Sequence, residues 1–99
     1  GLAELELKAA PQGLLDATKD SSADVRQQAA EALGQIRDPK AVPQLKALLE
    51  DADADVRGAA VEALSDIRDG AALQALIAAM QSKDVTVRRA AAQALGQRD

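Results

Sequence analysis

One phrase recurs along the chain at a fixed interval, and that interval constrains the fold more than any other feature. DVRQQAAEALGQIRD, Asp24 to Asp38, returns 31 residues later as DVRGAAVEALSDIRD, Asp55 to Asp69, and a shorter TVRRAAAQALGQRD runs from Thr86 to Asp99. Laying 24–54 over 55–85 without a gap pairs Val25 with Val56, Arg26 with Arg57, Ala29 with Ala60, Leu33 with Leu64, Ile36 with Ile67 and Leu45 with Leu76. Backwards, Leu14 falls under Leu45 and Asp20 under Asp51. A short period without gaps marks supersecondary units that stack, each unable to bury its apolar face alone.

Two helical patterns lie within each period. Val25, Ala29, Ala32, Leu33 and Ile36 form one buried stripe at i, i+4, i+7, i+8 and i+11, and Val42, Leu45, Leu48 and Leu49 form a shorter one. Asp38–Pro39 separates them, with Asp as a helix cap and Pro in the first turn. Pro43 either removes one helical hydrogen bond or marks a start near Val42. Ser22 and Asp24, Asp51 and Asp53, and Ser82 and Asp84 supply the remaining caps. The expected helices are 11–18, 24–35, 40–50, 55–67, 71–81 and 86–96. The whole is all-α, a right-handed α-solenoid (α/α superhelix) of about three helical hairpins.

Composition agrees. Ala and Leu dominate an apolar content of 47%, and Phe, Trp and Tyr are absent, so close helix packing must replace bulky side chains. Without Cys or His the chain lacks disulfides, thiol nucleophiles and the usual general base. A net charge of −4 disfavours phosphate backbones overall. No apolar run approaches the ~18 residues of a membrane span and no signal peptide is visible, so the expected setting is cytoplasmic.

The pattern D-x-V-R-x-x-A-x-x-A-L-x-x-I-x-D followed by A-V-P-x-L-x-x-L-L resembles HEAT-like repeats, above all the short bacterial-type repeats named after phycobilin lyases. The resemblance covers roughly 10–98. It implies a superhelix whose Val-Arg helices line the concave side. It also implies a structural ladder in which Arg26, Arg57 and Arg88 meet loop carboxylates such as Asp20, Asp51 and Asp84. Departures are Thr86 in place of Asp, Ser65 in place of Gly34 and Gly96, and Gly70 in place of Pro39. Such drift points to a natural sequence. Residues 11–99 form the repeat domain, with repeats about 11–36, 40–67 and 71–98. Residues 1–10, where Leu7 stands in the place of Asp38, are a helix remnant or a flap over the first repeat.

Three chemical readings compete with a purely structural one. DADADVRGAAVE sets Asp51, Asp53, Asp55 and Glu62 at positions 1, 3, 5 and 12 of a calcium loop, but Val56 occupies the position that needs Gly. Lys83, Arg88, Arg89 and Arg98 make the last repeat basic, a small footprint for nucleic acid without aromatics to stack on bases. The resemblance also raises a fragment of a bilin lyase-type enzyme, although no converging carboxylate pair is evident. The expectation is therefore a non-enzymatic interaction or scaffold module with no cofactor and no metal. Its protein or peptide partner would lie on a polar face formed by Asp24, Gln28, Glu31 and Gln35, then Ala59, Glu62 and Asp66, then Arg89, Gln93 and Gln97. Weak self-association through the solenoid ends is a further expectation.

Overall fold

The computed structural model of the chain describes residues 9–98. Their regular structure is α1 (Gln12–Ala17), α2 (Ala23–Ile36), a 3-10 turn (Pro39–Ala41), α3 (Val42–Leu48), α4 (Ala54–Asp66), α5 (Gly70–Ala79) and α6 (Val85–Gly96). The expected N-terminal segment 1–10 lies, up to residue 8, outside the described residues. Ala10 is buried, and its amide donates to Asp38 Oδ2 at 2.8 Å.

Each long helix starts one residue before its expected position because the cap is the residue ahead of it. Ser22, Asp53, Asp69 and Asp84 hold extended backbone angles, and each accepts an amide from the first turn that follows. The Asp53 carboxylate takes two, from Asp55 at 2.8 Å and Val56 at 3.1 Å. Asp24 is therefore helical rather than a cap, and Ser82 Oγ accepts instead from the Asp84 amide at 3.1 Å. Asp38 caps the 3-10 turn, and α3 begins at Val42 with Pro43 in its first turn, where the missing amide costs no helical bond.

Helices α2, α4 and α6 lie side by side in one layer, and α3 and α5 adjoin in the other. Hairpins α1–α2, α3–α4 and α5–α6 join the layers. A short dimension of 15 Å is two helix layers deep. Half of the buried apolar side chains among the described residues are alanines, with Leu33, Leu45, Leu64, Ile67 and Leu76 filling the space between layers. No helix among these residues is long and apolar enough to cross a membrane.

The stripe expected on α2 is buried only in part: Ala29 and Leu33 are buried, Ala32 and Ile36 are half-buried, and Val25 is exposed. Val25 is 39% exposed, whereas Val56 and Val87, in the same register, are 0% and 2%. Val56 and Val87 sit on helices flanked by the preceding repeat, α2 beside α4 and α4 beside α6. No such helix flanks Val25 among the described residues.

The close approach of α2 to α4 depends on Gly34. A methyl group there would lie 2.8 Å from Ala63 Cα, on backbone that cannot yield locally. Gly58, within α4, has open space around it. Gly34→Ala is therefore expected to destabilise by about 1–3 kcal/mol through overpacking, and Gly58→Ala to stabilise by roughly 0.5–1 kcal/mol through helix entropy. Urea unfolding of the two variants checks the contrast, and equal effects would remove the close-packing account.

Candidate interaction groove

Because α2, α4 and α6 are successive copies of one helix, residues 31 apart fall beside one another across the layer. Two rows result, Glu31–Glu62–Gln93 and Gln35–Asp66–Gln97, and all six line one open groove of about 540 Å³. Its remaining lining comes from Ala59, Val61, Ala63, Ser65, Ala90 and Ala94. Short side chains make the floor, carboxylates and amides make the rows, and no cation is among the lining residues. Gln27 Nε2 donates to Glu31 Oε2 at 3.3 Å and helps hold the first carboxylate in place.

Of the face expected from sequence, Asp24, Gln28 and Arg89 are exposed but do not line the groove. Asp24 and Gln28 belong to the first turns of α2. Arg89 stands one position out of register, since the residue matching Gln28 and Ala59 by the 31-residue count is Ala90, which does line the groove. The period held that information, and polarity was the misleading guide.

The arginines build a ladder whose rungs run forward by one repeat. Arg26 grips Asp51 with two bonds, Nε to Oδ1 at 2.8 Å and Nη2 to Oδ2 at 3.1 Å, while Nη1 donates to the Asp20 carbonyl at 2.8 Å. Arg57 Nε donates to Asp84 Oδ2 at 2.8 Å, and its Nη1 to the Asp51 carbonyl at 2.6 Å. Arg88 donates to the Ser82 carbonyl at 2.7 Å, and no carboxylate partner accompanies it among the described residues. Asp20 contributes to the ladder through its backbone, because its carboxylate turns to the Ser22 amide at 2.9 Å. The expected pairing of the Asp20 carboxylate with an arginine is thus corrected: among the described residues the arginine ion pairs are Arg26–Asp51 and Arg57–Asp84.

These contacts move the carboxyl groups. Hydrogen bonds from Thr86, then from Arg57, hold Asp84 down at about 2. Burial pushes Asp51 up, but the Arg26 guanidinium and the Asp53 amide outweigh it, leaving Asp51 below the usual carboxylate range. Amides of Ala10 and Lys40 lower Asp38. The bond to Asp51 raises Arg26.

The calcium-loop spacing dissolves into these roles. Asp51 is paired with Arg26, Asp53 caps α4, and Asp55 and Glu62 are exposed on α4. Among the described residues no group of three His, Cys, Asp or Glu gathers in a geometry that could hold a metal. In the basic set, Arg98 Nη1 reaches the Ser65 carbonyl at 3.5 Å, while Lys83 and Arg89 are exposed. A second hollow, of about 910 Å³, lies between the C-terminal end of α3 and α5, lined by Lys46, Glu50, Arg57, Ala75, Ala78 and Asp84 among others.

Comparison with known proteins follows the geometry. A family model for HEAT repeats matches residues 11–97. The solved structure of human deoxyhypusine hydroxylase in complex with glycerol superposes with a TM-score of 0.79 at 31% identity, over 95% of this chain and 35% of that one. The chain thus spans about a third of that enzyme's length. No curated protein sequence matches it significantly.

Asp84 yields a test of the ladder. Its folded value lies below the ~3.9 of an unfolded aspartate, so its contribution is complete above about pH 4 and is lost as pH falls through about 2. Asp84→Asn should lower the urea midpoint at pH 7 and at pH 5, with the gap to wild type closing between about pH 4 and about pH 2. A gap that persists unchanged at pH 2 would assign the effect to something other than the charge.

Proposed function

The chain belongs to the HEAT-repeat family, and on that footing we propose that it is a non-enzymatic interaction module whose α2–α4–α6 groove docks a protein segment rich in Lys or Arg. The two rows carry the reading: Glu31, Glu62 and Asp66 project into one trough without a lining cation to neutralise them. The amides of Gln35, Gln93 and Gln97 offer donors and acceptors to a peptide backbone. An open trough suits an extended chain or a helix laid along it, and a reaction that must exclude water calls for an enclosed pocket. The activity of the human enzyme belongs to a chain of which this one covers 35%, and is not carried over. Without aromatics, affinity rests on charge and backbone contacts and is modest.

Glu31→Arg combined with Glu62→Arg tests the groove directly. Both side chains are exposed, so the melting temperature should hold. On an array of synthetic peptides graded in Lys and Arg content, wild-type binding should rise with positive charge and weaken with salt. The double variant should lose about tenfold or more through like-charge contacts. Identical peptide profiles for the two proteins would end this reading.

A further inference from the structure

We propose that the hollow between the C-terminal end of α3 and α5 is a binding site for a small amphiphile, an apolar chain ending in a single carboxylate. Its volume of about 910 Å³ is that of a small-molecule site. The floor is apolar, with Leu49, Ala75 and Ala79 all buried. The rim sets Lys46, Lys83 and Arg57 against Glu50 and Asp84, an excess of positive charge in a chain of net charge −4. Both hairpins that wall the hollow, α3–α4 and α5–α6, lie among the described residues, and it shares no lining residue with the groove.

The repeat marks this junction as different from the one before it. Ala75 and Ala79 stand where Gln44 and Leu48 stand one period earlier, and Leu49 stands where Thr18 does. Lys46 and Lys83 fall at the positions of Leu15 and Ala52. Small apolar side chains on the floor and two added cations on the rim thus arrive together. The ladder supplies a further departure. Arg26 uses both Nε and Nη2 on the two oxygens of Asp51. Asp84 is not gripped that way, because its Oδ1 accepts from the Thr86 amide and hydroxyl. Arg57 reaches Oδ2 through Nε alone, and its Nη2 has no acceptor among the described residues. Neither Lys46 nor Lys83 pairs with a carboxylate among those residues. A bound carboxylate would take the spare guanidinium donor on one oxygen and a lysine ammonium on the other. Its chain would lie on Leu49, Ala75 and Ala79, out of water. Three cations against two carboxylates leave one positive charge in the lining, which a monocarboxylate balances and a dianion does not.

Titration with octanoate, octanol and octylammonium in about 0.15 M salt, followed by amide chemical shifts in solution NMR, tests the site. Octanoate should saturate at one molecule per chain, with shifts centred on Ala75, Ala78, Ala79 and Lys83. Octanol should bind there about tenfold more weakly for want of charge-assisted hydrogen bonds, and octylammonium more weakly still. Ala79→Leu gives the floor the residue found one period earlier, and should abolish octanoate binding while the melting temperature holds or rises. If that variant loses helical content, Ala75→Gln, which copies Gln44, fills the floor in its place. Lys46→Ala with Lys83→Ala, both at exposed positions, should weaken octanoate about fivefold and leave octanol unchanged. Glu31→Arg with Glu62→Arg, in the groove, should bind octanoate as wild type does. The absence of a saturable shift up to about 5 mM octanoate overturns the proposal. Equal affinity for the three ligands, or octanoate binding that survives the filled floor, overturns it as well.

Discussion

The structure depends on how closely α2, α4 and α6 lie to one another. An interior in which alanine is the commonest buried residue cannot fill wide gaps, so its stability comes from backbones brought near enough for small side chains to touch. Gly34 against Ala63 is the tightest expression of that demand. Once adjacent helices are held this near, residues one period apart become lateral neighbours, and rows such as Glu31–Glu62–Gln93 follow from geometry alone. The groove is a by-product of core packing, and its chemistry is set by what the exposed positions of each copy happen to be.

The loops solve a second problem, holding each hairpin at the correct height on its neighbour. In the first junction two aspartates divide the labour: Asp51 pairs with Arg26 while Asp53 caps α4. In the second, Ser82 stands at the position of Asp51, and Asp84 performs both tasks, Oδ1 capping α6 through Thr86 and Oδ2 pairing with Arg57. Concentrating both in one carboxylate explains why Asp84 is held down at about 2, by Thr86 and by Arg57 together. Side-chain exposures of 22% and 19% for Arg57 and Asp84 leave that pair open to water, so its role is positioning more than net stabilisation.

Much of this was legible from residue spacing because the repeat supplies three readings of each position. Helix order, the Asp and Ser caps, the buried leucines and most groove residues followed from pattern. What escaped depends on neighbours. Val25 belongs to the same stripe as Val56, yet its exposure is decided by what flanks its helix, a fact outside any single period. The forward step of the ladder could not be told from a within-loop pairing, since Arg26 approaches both Asp20 and Asp51 and only the side-chain direction separates them. Arg89 is polar and lies next to the face, although the period names Ala90. The hollow between the C-terminal end of α3 and α5 disturbs no pattern, because Ala75 and Ala79 suit a helix as well as Gln44 and Leu48 do one period earlier.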